Sequence, residues 1–205
     1  SQLYTIDDFG TVTGSSVSTG ETAWSVTLPA QRTLFNSTAQ IWLDGENSAV
    51  LCAFHGTLAS LDPVSGSLRW QHQLTGDLAL GPFFDAPRQS LIYVEYLPDL
   101  SPENFWQRID YRLISLCSTD GTLEREVSLP SSDAGAASID FSSDSLSSGC
   151  VTPSGRFVGS FFRTENEVCQ SILFWLDPGD DTMHFIDNET FTDPSARYTP
   201  IHTAC

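Results

Sequence analysis

The chain has 205 residues, 40% of them hydrophobic, enough to bury a substantial core in one large β domain. Twenty-six acidic residues face nine basic ones, all Arg, for a net charge of −17, which repels phosphate backbones and anionic lipid surfaces and excludes nucleic acid as a partner. No apolar run approaches the roughly 20 residues that span a bilayer, so direct membrane insertion is excluded as well.

Helix-like periodicity is missing, and Ser, Thr, Gly and Asp are abundant, as strands joined by turns require. Gln2–Ile6 reads as the first strand. Thr11-Val12 opens a second, a turn follows at Ser18-Thr19-Gly20, and Thr22-Ala23-Trp24 starts a third that runs toward Leu28. Gln31–Ala39 is a connection carrying the sequon Asn36-Ser37-Thr38. Ile41–Leu43 and Ala49–Phe54 are the next strands. Thr57–Leu61, a short polar turn ending at Gly66, and Leu68–Trp70 form a hairpin. Gly81–Phe84 and Leu91–Val94 precede a long insertion, Glu95–Asp110. Leu113–Leu116, the turn Asp120-Gly121 and Leu123–Leu129 repeat the hairpin. Pro130–Ser148 is a Ser-, Ala- and Gly-rich connection with little recognition content. Gly149–Val151 and Phe157–Phe161 follow, then a connection over Arg163–Gln170. A fourth hairpin has Leu173–Leu176, a turn at Asp181, and Met183 to Phe185. Asn188–Pro200 is a further connection, with the sequon Asn188-Glu189-Thr190, and Pro200–Cys205 reads as a closing strand.

Four copies of one frame organise these elements. The turn positions Gly20, Gly66, Gly121 and Asp181 are 46, 55 and 60 residues apart, close to the ~40–50 residues of a propeller blade with insertions. The anchor after the turn is Trp24, Trp70 and Phe185, with Arg125 in the third copy. The expected fold class is all-β: a β-propeller of four-stranded antiparallel blades. The repeats cover about 1–28, 39–75, 78–129 and 138–187 of a single domain spanning 1–205, with 200–205 as the closing strand. Two readings stay open at this point. The last strand closes the first blade, removing two sheet edges, or the chain is half of a larger propeller completed by another chain.

The segment Leu61-Asp62-Pro63-Val64-Ser65-Gly66-Ser67-Leu68-Arg69-Trp70 resembles the quinoprotein-type (PQQ-like) propeller repeat, roughly A-L-D-x-x-T-G-x-x-x-W. In that family the Trp docks against the neighbouring blade, which the resemblance implies for Trp24 and Trp70. The family usually has seven or eight blades. Its quinone-dependent dehydrogenases use an adjacent-Cys disulfide and calcium. This chain has no Cys-Cys pair, so it resembles the non-catalytic branch, with no cofactor expected.

Chemistry-bearing motifs give little. Asp177, Asp180, Asp181 and Asp187 could offer oxygen ligands to Ca²⁺, but they lack EF-hand spacing and read as a solvated acidic turn. The four His are scattered, and no G-x-S-x-G, P-loop or H-E-x-x-H occurs. Five Cys with no CxxC pair, together with two sequons at Asn36 and Asn188, point to an extracytoplasmic compartment. In an up-and-down blade, the connections between second and third strands and between successive blades leave from one face, and recognition residues concentrate on such loops. Leu100, Phe105, Trp106 and Arg108 of the long insertion are therefore the candidate partner-binding residues. The functional expectation is a non-enzymatic protein-interaction scaffold or sensor. An accessory domain of an enzyme with an axial pocket, and a carbohydrate-binding propeller, are the alternatives.

Overall fold

A computed structural model describes residues 1–29, 39–45, 49–98, 109–129, 149–165, 168–177 and 183–191. These residues form fifteen strands. The first sheet is β1 (Gln2–Ile6), β2 (Thr11–Ser16) and β3 (Thr22–Thr27), in that order. The second is β4 (Gln40–Asp44), β5 (Ala49–Phe54), β6 (Thr57–Leu61) and β7 (Leu68–Gln73). The third is β8 (Asp77–Asp85), β9 (Ser90–Pro98), β10 (Ile109–Cys117) and β11 (Leu123–Leu129). The fourth is β12 (Gly149–Val151), β13 (Phe157–Glu165), β14 (Val168–Leu176) and β15 (Met183–Phe191). Each sheet is an up-and-down meander, with strands neighbouring in sequence order. The chain packs as two units, Ser1–Leu78 with Leu116–Glu124, and Ala79–Ser115 with Arg125–Cys205.

The repeat read from the sequence recurs in atomic detail. Gly20, Gly66 and Gly121 have φ of 73°, 70° and 73°, a left-handed conformation that side chains resist. Each donates its N–H back across the turn, to the carbonyls of Ser16 (2.8 Å), Asp62 (2.8 Å) and Cys117 (2.9 Å). Those three residues in turn donate to Glu21, Ser67 and Thr122 at 2.9, 2.8 and 2.9 Å. A second pair of glycines, Gly10 and Gly56, repeats at φ 76° in both copies. Their carbonyls accept from the N–H of Leu28 and Leu74 at 2.9 and 2.8 Å.

In the first unit, each sheet is latched to the next hairpin by an indole. Trp24 lies against Gly66 and donates from Nε1 to the Pro63 carbonyl at 3.0 Å. Trp70 lies against Gly121 and donates to the Ser118 carbonyl at 2.9 Å. Both carbonyls sit three residues before the glycine. The turn glycine is thus needed twice over, for its φ and because the ring occupies the space a Cβ would take. A bulge sets each indole opposite a small residue, Trp24 across from Gly14 and Trp70 across from Ser60. Val12, Leu28, Val50, Cys52, Phe54, Ala59 and Leu61 complete this core with Trp24.

The second unit has its own core of Leu80, Ile92, Val94, Tyr111, Leu113, Val127, Leu129, Phe157, Phe174 and Leu176. Here Arg125 stands where the earlier copies carry Trp, and it donates from Nη1 to the Asp177 carbonyl at 3.1 Å. The guanidinium keeps the donor of the latch while changing the side chain that delivers it. In the fourth sheet Phe185 pairs with Phe174, and the bulge has moved to Ile172/Leu173, so the register around Phe185 differs from that around Trp24 and Trp70.

Three connections are shorter than the sequence suggests. The segment read as a connection over 163–170 is mostly strand: Arg163 pairs with Gln170, Thr164 with Cys169 and Glu165 with Val168. Aromatic and β-branched residues carry both strands to a two-residue hairpin. For the same reason β9 runs through Pro98 and β15 through Phe191, into segments expected to be loop. The turn at Asp181, Asp180 and the strand expected at 200–205 lie outside the described residues.

Candidate functional site

The two ends of each sheet behave differently. The equivalent turns at Gly20 and Gly66 match β1, β2 and β3 to β5, β6 and β7, so the first sheet's strands count as second, third and fourth. First-to-second-strand connections span 45–48, 86–89 and 152–156, and the third-to-fourth connections span 17–21, 62–67, 118–122 and 177–182. All are four to six residues long. At the opposite end, the second-to-third connections span 7–10, 55–56, 99–108 and 166–167, and those between sheets span 28–39, 74–76 and 130–148. Their lengths range from two to nineteen. Connections at one end are near-uniform in length, and those at the other vary.

At the variable end of the first sheet, Asp7 fixes the connection by accepting at Oδ1 from the N–H of Phe9 (2.9 Å) and Thr11 (2.8 Å). This turn holds Phe9 out in solvent, 81% exposed.

The strands β9 and β10, which flank residues 99–108 in sequence, carry a charged clamp in the second unit. Glu95 on β9 is 1% exposed. Its Oε1 accepts from the Tyr93 hydroxyl at 3.3 Å, and its Oε2 pairs with Arg112 Nη2 of β10 at 3.4 Å. Arg112 Nη1 reaches on to Glu126 Oε1 of β11 at 2.5 Å. The buried Arg112 Nε has no hydrogen-bond partner among the described residues. Burial, and then the charge of Glu95, hold the Tyr93 phenol well above its ordinary value. A guanidinium that never releases its proton and a phenol that resists ionisation make poor acid–base catalysts. Arg112 does tie the three adjacent strands β9, β10 and β11 together.

A second cluster lies on the fourth sheet. Trp175 stacks on His184, with centroids 5.0 Å apart at 13°, and the Arg156 guanidinium lies 5.6 Å from the Trp175 ring. Asp177 bridges Arg156 Nε (2.6 Å) and His184 Nε2 (3.9 Å). The Asp177 carboxylate is therefore engaged by the Arg156 guanidinium of the chain itself. Among the described residues no group of three or more His, Cys, Asp or Glu could hold a metal ion.

Of the residues singled out in the sequence, Leu100, Phe105, Trp106, Arg108 and Asn36 lie outside the described residues. Asn188 is in β15, opposite Ile172. Trp24 and Trp70 are 9% and 6% exposed, packed in the latches and closed to a sugar ring. The Glu95–Arg112–Glu126 clamp and the Trp175 stack were missed. The sequence signal for the clamp is a charge set within an apolar strand, Glu95 after Leu91-Ile92-Tyr93-Val94 and Arg112 before Leu113-Ile114.

No protein-family model and no curated protein matches the sequence. Solved structures do match the fold. A quinohemoprotein alcohol dehydrogenase from Comamonas testosteroni superposes with a TM-score of 0.51 at 12% identity, over 92% of this chain and 33% of that one. The β-propeller domain of Myceliophteria thermophila Cps50 (Swd1) gives 0.50 at 12% identity, over 94% and 69%. BamB from Moraxella catarrhalis gives 0.47 at 15% identity, over 89% and 48%. The chain thus spans about a third of the quinohemoprotein and about half of BamB. Among the described residues no helix is long and apolar enough to cross a membrane. The strand meanders, with the superpositions on the quinohemoprotein and on the Cps50 (Swd1) domain, make the fold a β-propeller fold with antiparallel sheets.

Proposed function

We propose that this chain is a non-enzymatic interaction scaffold that presents the variable connections, above all 99–108, to a protein partner in an extracytoplasmic compartment. The observation that carries the reading is the contrast between sheet ends: four to six residues at every connection of one end, two to nineteen at the other. Latches need one geometry, whereas recognition needs variety on a rigid base. The clamp that joins β9, β10 and β11 and the fixed Phe9 turn support it. Leu100, Phe105 and Trp106 would fill apolar pockets of the partner, and Arg108 would meet a carboxylate or carbonyl. The net charge of −17 favours a partner with a basic rim. The cysteines and the two sequons support the compartment.

A photo-crosslinking residue placed at Phe105 in the full chain tests this in the extracytoplasmic fraction of the source cells. One defined protein should be captured, and Trp106→Ala with Arg108→Ala should abolish capture while leaving the unfolding midpoint unchanged. Crosslinks only within the chain, or capture untouched by the double variant, would refute the reading.

A further inference from the structure

Two of the variable connections share a frame within the first unit. Gly10 and Gly56 have the same φ of 76°, and each is followed by a Thr that opens a strand, Thr11 of β2 and Thr57 of β6. Each is preceded by a ring, Phe9 and His55. The Phe54 ring adjoins both places. It fills the space that a Cβ on Gly10 would take, and it meets the His55 ring edge-on with centroids 4.2 Å apart. The two rings therefore stand at one end of the first unit.

Neither ring is needed by its turn. Asp7 Oδ1 and the positive φ of Gly10 already close the first turn, so a small polar residue would serve at position 9. Phe9 instead leaves most of an apolar side chain in water. His55 takes φ of 41° in a two-residue hairpin connection, a place that suits Asn better. A residue that local structure does not require, held where it is costly, points to a role in recognition.

The groups beside Phe9 define what it would recognise. Asp8 is exposed, and its carboxylate has no partner among the described residues. The turn uses Oδ1 of Asp7 and leaves Oδ2 open. The first unit has no cation to spare for them. Among its described residues Arg69 is the only Arg or Lys, and Asp62 holds it at 2.9 Å. A ring face beside two open carboxylates suits a guanidinium, which stacks flat on the ring and forks its N–H groups to the oxygens.

We infer that this end of the first unit binds an arginine side chain of a partner polypeptide. Phe9 supplies the stacking face, Asp7 Oδ2 and Asp8 accept from the guanidinium, and His55 borders the site. Lysine fits less well, because a compact ammonium cannot stack and fork at once. The inference deepens the scaffold reading and rests on it for the existence of a partner. It uses no residue of 99–108, so the Phe105 crosslink and the titration below fail separately.

The probe is arginine blocked at both ends, titrated at low salt into the full chain carrying carbon-13 in its Phe and His rings and followed by NMR. The Phe9 and His55 ring signals and the amides of residues 7–11 should shift along one saturating curve. Blocked lysine should bind more weakly. Blocked citrulline, which has the shape without the charge, should cause no shift. Phe9→Leu should weaken arginine binding about two- to fivefold, the worth of an exposed cation–π contact. Asp8→Asn should weaken it by a similar factor of about two to five. Both side chains are exposed, so the unfolding midpoints of the variants should match the parent's. Three results would overturn the inference. Shifts that never saturate, or that are as large at the turns 62–67 and 118–122, mean diffuse attraction to an acidic chain. Citrulline binding as well as arginine means that no cation is recognised. Parental affinity in both variants means that neither the ring nor the carboxylate forms the site.

Discussion

Replacing the turn glycines one at a time by Ala separates two costs that the fold combines. At Gly20 an added Cβ meets nothing within 4 Å, so Gly20→Ala suffers only from φ of +73°. Left-handed backbone costs an L-residue about 1–2 kcal/mol, and the stiffer unfolded chain returns about 0.4–1. The net loss should be about 1 kcal/mol. At Gly121 the same φ holds, and the Cβ would sit 2.7 Å from the Trp70 ring. At Gly66 it would press on Trp24 in the same way. Overpacking adds about 1–3 kcal/mol, so Gly66→Ala and Gly121→Ala should each lose about 2–4 kcal/mol. For a chain of this size that is a fall in Tm of roughly 5–15 °C, against roughly 2–4 °C for Gly20→Ala. Thermal and urea unfolding followed by circular dichroism measure both. A cycle with Trp24→Ala completes the test: once the ring is gone, Gly66→Ala should cost no more than Gly20→Ala does. Equal losses at positions 20 and 66, or a cycle additive within about 0.5 kcal/mol, would refute the idea that the indole rests on the glycine.

Four further outcomes are expected. Trp70→Phe keeps an aromatic ring but removes the Nε1 donor to the Ser118 carbonyl, and should cost about 1–3 kcal/mol by urea titration. Arg112→Ala leaves the Glu95 carboxylate buried without its cation and should cost about 3–5 kcal/mol, whereas Arg112→Met with Glu95→Gln should cost clearly less. Hydrogen bonds from Arg69 and then Ser65 hold the Asp62 carboxyl well below the usual range. A depressed carboxyl stabilises the fold above its unfolded value, about 3.9, and that contribution is lost as pH falls below it. Asp62→Asn should therefore flatten the acid limb of a midpoint-against-pH curve below about pH 4 and leave its neutral region level. Burial pushes the Cys52 thiol up to about 12, so at pH 8 it should react with a thiol reagent only as fast as the chain opens, while the part-exposed Cys117 reacts promptly.

The hairpin frame was legible in the sequence because its constraints are local. A glycine that must adopt positive φ and an aromatic four residues later lie within one hairpin, and Gly20 with Trp24 and Gly66 with Trp70 show it directly. Gly10 and Gly56 form an equally regular pair, yet the neighbouring connection has four residues in one copy and two in the other, which hid the match. Strand ends were harder to see. Arg163–Glu165 and Val168–Gln170 have the polar look of a connection, and only their mutual pairing, with Phe191 beyond Cys169, makes them strand. The clamp was invisible for a related reason. Glu95 continues an apolar strand and Arg112 opens another, and seventeen residues separate two charges that meet only after β9 and β10 align.

The third copy shows what the latch requires. Arg125 has neither the shape nor the apolar area of Trp24 or Trp70, yet it delivers an N–H to a carbonyl of the following hairpin. It reaches Asp177, one position earlier in the frame than Pro63 and Ser118, as a flexible side chain with several donors can. What the three copies share is therefore a donor aimed at one turn carbonyl, and the indole contributes packing on top of it. A hydrogen bond with defined direction fixes the angle at which a hairpin sits, which apolar contact alone leaves loose. That explains why the latch-bearing turns keep five or six residues: a longer turn would carry its carbonyl out of reach of the donor. The connections at the opposite ends range from two to nineteen residues, and on the proposed reading that variety is what makes them the place to look for a partner.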